Sequence, residues 1–457
     1  MRILQINTAD KGGGAEGSAY NLFARYRQLG HQSLLAVGTK YRDDADICQI
    51  PRIAPEGNLP RRLAFLGSRL AARLELRSFP GARKLTRVLS RLSSARRCRE
   101  YSEGLDETDF PGCSCLLEIL PFRPDVVHIH NMHGWYFDMG ILPGLSRAIP
   151  TILNLRDTWA LTGHCAYFMD CEKWRSGCGD CPRLGVYPAL RRDGTAQNWK
   201  RKAEIYHASK LYVTAPSQWL LDCARDSMLS AVEYRVIPNG IDTGVFCPGD
   251  RRQARERLGL PQDVPLLMFA SAAAKTVFKD QATLCEAVRQ VASANPSVHF
   301  LCVGADIGLK LPAMHRFPYV SSPSRMADCY RAADLFLHTA RAEAFGKTVT
   351  EAMACGTPAV ASAVGGLAEQ ILPGETGYLA HSREEHWTHV LNYLALPDEE
   401  RLKMGRLAAR RGAQFSLERQ TNAFLAWYQE ILDKHQSCTG TAGTAGTAGT
   451  DLQDNFS

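Results

Sequence analysis

The chain has 457 residues, a formal net charge of +7, 45% hydrophobic and 22% charged residues. That is the composition of an ordinary soluble protein with room for two or three domains and sizeable cores. No apolar run approaches the ~18 residues of a membrane span, and Met1 leads directly into a strand, so neither a spanning helix nor a signal peptide is expected and the cytoplasm is the default setting.

Residues 1–40 read as strand (Ile3 to Asn7), glycine loop (Gly12, Gly13, Gly14), helix (Ser18 to Leu29) and strand (Ser33 to Val37). That is one βαβ unit of a doubly wound parallel sheet. Glycines directly after a first strand let backbone approach a phosphate group closely.

Twelve basic residues recur between Arg61 and Arg99 with almost no acids, interleaved with Leu63, Leu66, Leu70, Leu74, Leu85 and Leu92 at roughly helical spacing. A basic amphipathic helix pair suits a membrane surface bearing anionic lipid. The competing expectation is an insertion whose apolar face packs on its own domain while the arginines face water. Nucleic acid is not expected, because no aromatic interleaving or nucleic-acid module accompanies the charge.

Asp125 to His130 and Pro150 to Leu155 read as buried strands. His128 and His130 point to one face of the first, which admits a metal pair but more ordinarily means packing, whereas His133 lies past its end and faces a cleft. Cys165, Cys171, Cys178 and Cys181 follow in a polar, glycine-containing loop. Their spacing predicts a structural metal, zinc or an iron–sulfur cluster with the same ligands; four free thiols, or disulfides in an oxidising setting, are the alternatives. Catalytic zinc is not expected, because four protein ligands leave no open position. Lys210 to Ala215 closes this half, with a helix starting at Pro216 and Ser217 and a linker near Ile237 to Pro248.

In the second half Pro265 to Ala270, Val298 to Gly304, Leu335 to His338 and Ala359 to Ala361 read as strands. Glu343 and Glu351 stand with seven residues between them, the first in a glycine-containing loop and the second on a helix. A helix start there offers free N–H groups to phosphate, so Phe345, Gly346 and Lys347 are candidates to hold one. A carboxylate accepts two hydroxyl hydrogen bonds, so an acidic pair beside a phosphate site points to a nucleotide sugar. A helix is expected over about 399–436, and the Thr-Ala-Gly repeat beyond it is expected to be disordered.

The Glu343–Glu351 segment resembles the E-x7-E motif of retaining glycosyltransferases with the GT-B fold. Tyr330 to His338, Ala363 to Glu369, Gly374 to Gly377 and Pro238 to Asp242 are similar to that family's neighbouring blocks. The resemblance implies an α/β GT-B protein, two Rossmann-like doubly wound domains facing a cleft. The domains implied are 1–237 on the acceptor side (basic insertion 55–105, Cys-rich loop 163–183) and 238–415 for the donor. A helix at 416–436 would return to the first domain, ahead of a disordered tail at 437–457. Lys279 would hold the donor diphosphate, assisted across the cleft by Gly13 and Gly14. Glu343 would contact the donor sugar and Glu351 the ribose. No catalytic metal is implied. Ala273 stands where the family usually carries an arginine, with Lys275 as a substitute, and Arg156 stands where it usually carries a histidine. Arg156 with Asp157 would bind phosphate or sugar hydroxyls, or the replacement lowers activity. Related sugar transferases of bacterial polysaccharide pathways carry a block similar to Trp159–Cys165, so the Cys-rich loop reads as shaping the acceptor side.

The function implied is transfer of a sugar from a nucleotide-diphosphate donor to a saccharide or lipid-linked saccharide, on or near the inner membrane face, in cell-surface polysaccharide or lipopolysaccharide synthesis. The alternatives are another enzyme on this fold, such as a phosphorylase or epimerase, a non-catalytic nucleotide- or sugar-binding protein, and a metal-dependent regulatory protein.

Overall fold

The computed structural model describes residues 1–53, 58–76, 79–271 and 277–440. Lys275 and Ala273 lie outside the described residues, as does the repeat beyond Gly440.

The first unit contains β1 (Arg2–Ala9), α1 (Gly14–Gln28), β2 (Gln32–Thr39), β3 (Ile47–Gln49), α2 (Leu59–Leu76), α3 (Ala82–Leu92), α4 (Ala95–Glu103), β4 (Val126–Ile129), α5 (Leu142–Ala148), β5 (Thr151–Asn154), α6 (Thr195–His207), β6 (Leu211–Ala215), α7 (Gln218–Arg225) and β7 (Glu233–Val236). The strands pair in the order β3-β2-β1-β4-β5-β6-β7, all parallel. Ile3, Leu4 and Ile6 in β1 and Val126, Val127 and Ile129 in β4 are fully buried, as near-continuous apolar strands covered on both faces must be.

The second unit contains α8 (Arg251–Leu258), β8 (Leu266–Ser271), α9 (Gln281–Ala294), β9 (His299–Gly304), β10 (Met314–Phe317), α10 (Pro323–Ala332), β11 (Leu335–His338), α11 (Lys347–Ala354), β12 (Ala359–Ser362), β13 (Gly377–Ala380), α12 (Arg383–Ala395), α13 (Asp398–Ala413) and α14 (Leu417–Gly440). Its order is β10-β9-β8-β11-β12-β13, again all parallel. In both sheets the order reverses beside the first strand, between β1 and β4 and between β8 and β11. Ligands on open parallel sheets sit at such switch points, beyond the strands' carboxyl ends.

The single helix expected over 399–436 is two helices, α13 and α14. Phe415 accepts from Ile241 and Leu417 donates to Ile241 in the break between them, which a continuous helix would not allow. The helix also runs past the expected end at 436, to Gly440. Phe424, Trp427, Tyr428 and Ile431 of α14 pack with Ile3, Tyr26, Val126 and Ile152 of the first unit. No described helix is long and apolar enough to cross a membrane.

Candidate active site

Lys279 follows β8 and Glu343 follows β11, the two strands at the switch point. A short backbone ladder fixes the first loop against the second: Arg341 donates to the Phe278 carbonyl at 2.8 Å, and Lys279 bridges Ala340. Lys279 Nζ then stands 2.6 Å from Glu343 Oε2 and 3.3 Å from His338 Nε2. Burial opposes ionisation of Glu343, but Lys279 and His338 outweigh it and hold the carboxyl below the usual range. Burial, reinforced by Lys279, pushes His338 down to about 4, so it stays a neutral acceptor.

α11 begins at Lys347 with Gly346 before it at φ 89°, a left-handed conformation that favours glycine. A Cβ on Gly346 would also meet Leu367 Cδ2 at 2.2 Å. No side chain caps this helix start, so its N–H groups stay available to an anion. Buried Gln370 braces it, donating to the Phe345 carbonyl and accepting from Thr350. Glu351 is one turn further in. Burial raises its carboxyl, while Lys347 at 3.9 Å and the Tyr330 hydroxyl at 3.3 Å act the other way. Gly365 and Gly366 close over the Glu343 loop, where a Cβ would meet the Glu343 carbonyl at 2.1 Å and the Ala344 carbonyl at 2.2 Å.

On the first unit, Gly13 precedes the start of α1, and the helix begins four residues before the expected Ser18. Gly12, Gly13 and Gly14 do not adopt positive φ. A Cβ on Gly14 would meet nothing within 4 Å, whereas one on Gly12 or Gly13 would meet the Glu16 side chain at 3.2 and 3.4 Å.

His133 and Asp157 come together, Nε2 to Oδ2 at 2.9 Å, with His133 Nδ1 3.3 Å from the Tyr187 hydroxyl. Asp157 is oriented by accepting from the Trp159 N–H at 2.9 Å. Arg156 turns the other way: its guanidinium donates to His130 Nδ1 at 2.8 Å and to Asn239 in the linker, with Nε buried and without a partner. Burial lowers Arg156 to about 10. The residue expected among sugar or phosphate ligands is thus engaged in joining the first unit to the linker.

His128 and His130 share a face and stack at 4.1 Å, but both are buried. His128 is bonded to Tyr428 at 2.5 Å and Asn154 at 3.0 Å, and His130 to Gln5 at 2.7 Å. Both rings are thus engaged inside the fold, His130 also accepting from Arg156.

Cys165, Cys171, Cys178 and Cys181 are all free, so they form no disulfides. Cys171, Cys178 and Cys181 lie close enough to Cys165 to act on its thiol. The Gly163 N–H donates to Cys178 Sγ at 3.2 Å, and His164 Nε2 is 3.5 Å from Cys181 Sγ. Among the described residues, no group of three or more His, Cys, Asp or Glu side chains is placed to hold one ion.

Tyr167, in the same loop, carried no signal in the sequence. Its hydroxyl accepts from the Ala344 N–H at 3.2 Å, its ring packs edge-on against Phe278 at 4.9 Å, and both Glu343 and Asp157 act on it electrostatically. It therefore links the Glu343 loop to the first unit. Glu369 makes a second link by accepting from the Gln218 and Trp219 N–H groups at the start of α7, at 2.8 and 2.7 Å.

Residues 250–411 match the family model for glycosyl transferases group 1, and residues 105–245 that for glycosyltransferase family 4. The chain is 32% identical over 365 residues to D-inositol 3-phosphate glycosyltransferases of Mycobacterium tuberculosis and Mycobacterium bovis, covering 73% of this chain and 69% of theirs. The chain belongs to the group 1 glycosyltransferases. Among solved structures it is similar to Anabaena HepE in complex with UDP and glucose (17% identity, TM-score 0.60, 94% of this chain and 100% of that one). It is also similar to sucrose-phosphate synthase of Thermosynechococcus elongatus (16%, TM-score 0.60, 95% and 99%). A third likeness is to WaaG, a glycosyltransferase involved in lipopolysaccharide biosynthesis (16%, TM-score 0.57, 92% and 98%). The fold of this glycosyltransferase is therefore GT-B, two Rossmann-like domains.

Proposed function

We propose that this glycosyltransferase moves a sugar, with retention of anomeric configuration, from a nucleotide-diphosphate donor to a saccharide or lipid-linked saccharide in cell-surface polysaccharide synthesis. The observation that carries this reading is the Lys279–Glu343–His338 cluster beside the uncapped start of α11. Lys279 and the N–H groups of Phe345, Gly346 and Lys347 would neutralise the diphosphate, in the ground state and as charge develops on departure. Glu343 would accept sugar hydroxyls and Glu351 those of the ribose. Gly13 and Gly14 would leave the diphosphate room from the other side. The His133–Asp157 pair, held rigid by Trp159 and Tyr187, would orient the sugar and acceptor. In this reading the leaving phosphate takes the acceptor proton, and no side chain serves as a covalent nucleophile. The complexes of HepE with UDP and UDP-glucose favour a uridine nucleotide. The Cys-rich loop is read as holding a structural zinc or iron–sulfur centre that would fix the position of Tyr167.

Thermal shift against UDP, GDP, ADP and CMP and their sugar conjugates tests the donor. A shift with one diphosphate, larger with its conjugate, supports the proposal, and no response to any of them overturns it. The engagement of Arg156 with His130 and Asn239 favours a second reading, a nucleotide-binding protein without turnover. Release of nucleoside diphosphate from the donor in the presence of acceptor would eliminate that reading.

A further inference from the structure

Ten of the twenty exposed large apolar side chains among the described residues lie between Leu59 and Leu92. On α2, Leu59, Leu63, Leu66 and Leu70 recur at the spacing of one helix face and are 67, 57, 53 and 61% exposed. The opposite face, Phe65, Ser68 and Ala71, is buried. α3 packs alongside, with Leu89 3.3 Å from where a Cβ of Gly67 would stand, and turns Leu85, Val88 and Leu92 outward. A helix pair that only covers its own domain would bury these leucines. Apolar patches of this kind mark an interaction surface.

The same segment concentrates the charge. Residues 59–92 hold nine Lys or Arg and one acid, a net +8 against +7 for the whole chain, so the remainder sums to −1. Arg62, Arg69, Arg73, Arg83 and Lys84 are exposed among the leucines. A cleft of about 520 Å³ lies beneath, lined by Phe65, Ser68, Thr86 and Arg87 of the hairpin and by Gly12 and Gly13 of the glycine loop after β1.

We propose that the α2–α3 hairpin lays its leucine and arginine face on an anionic lipid bilayer and opens this cleft to an acceptor anchored there. The delivery half of this proposal rests on the sugar-transfer reading above. The leucines supply the apolar area that enters the headgroup boundary, and the cations meet lipid phosphates. A second copy of the chain fits poorly, because two faces of the same high positive charge would meet.

The test is co-sedimentation of the full chain with vesicles of phosphatidylcholine alone or with one third phosphatidylglycerol. Binding to the anionic vesicles and not the neutral ones is expected. The triple variants Leu63→Ser/Leu66→Ser/Leu70→Ser and Arg62→Glu/Arg69→Glu/Arg73→Glu should each reduce the bound fraction at least about tenfold, while their nucleotide-induced thermal shift matches the parent's. Three results would overturn docking: no binding of the parent to anionic vesicles, parent-like binding by both variants, or a dimer abolished by the leucine variant without lipid binding. Lipid binding as expected with no nucleotide response in the parent would overturn the transfer reading, and acceptor delivery with it, but not docking.

Discussion

Lys279 Nζ and Glu343 Oε2 meet at 2.6 Å from loops 64 positions apart, each following one of the two central strands of the second sheet. With His338 behind them, they form a unit in which Lys279 favours the ionised form of Glu343 and, together with burial, the neutral form of His338. Removing either charge should therefore cost function more than fold. Lys279→Ala and Glu343→Gln are expected to lower kcat/KM by about 100-fold or more, the scale of losing one preorganised charge at a reacting centre. Their far-ultraviolet circular dichroism should match the parent's. Parent-like transfer by both variants would refute the site.

The same unit makes stability fall with acid. His338 has a folded pKa of about 4, below its ordinary 6.5, so the unfolded chain takes up its proton first. Its contribution is complete above pH 6.5 and is lost as pH falls towards 4, on the order of 3 kcal/mol in all. Glu343, held below its ordinary 4.5, adds a further loss below that pH. A series of Tm values from pH 7 to pH 4 should fall, and His338→Gln should flatten the part between pH 6.5 and 4.5. An unchanged slope in that variant would mean that other groups govern it.

Tyr167 ties the first unit to the Ala344 N–H beside Glu343. Tyr167→Phe keeps the packing on Phe278 and loses one acceptor, so transfer should fall only several-fold. Tyr167→Ala loses both contacts and should cut kcat/KM at least about tenfold more. Steady-state kinetics on the pair would show this, and equal rates for the two variants would mean that the ring does not position the loop.

The four free thiols of the Cys-rich loop give a separate test. Cys178→Ser is expected to lose bound metal and Tm together, by several degrees. Plasma emission spectrometry of parent and variant measures the first and calorimetry the second. Parent protein without stoichiometric zinc or iron would retire the structural-metal reading and leave Cys178 as an acceptor for the Gly163 N–H.

The eight strands read from sequence are all internal to the two sheets, because strands covered on both faces need continuous apolar runs, and the ninth internal strand, β6, is the Lys210 to Ala215 segment that closes the first half. The strands missed, β3, β7, β10 and β13, are the four edges, and β7 is only half-buried along its length. An edge pairs on one side only, so its backbone bonding comes from a neighbour and leaves little mark in its residues. The break at Phe415 to Leu417 is of the same kind, since its partner is Ile241 in the distant linker.

The sequence by itself determined the α/β class, which follows from local periodicity, and singled out Glu343 and Glu351 by side-chain chemistry at short spacing. Lys279 and the two Rossmann-like halves came from the resemblance to a known family. Only the tertiary structure decided that Arg156 turns to His130 and Asn239, that His133 meets Asp157, that Tyr167 reaches Ala344, and that the leucines of α2 face outward. Each depends on where two distant segments come to lie, and on which face of a helix the rest of the chain leaves uncovered.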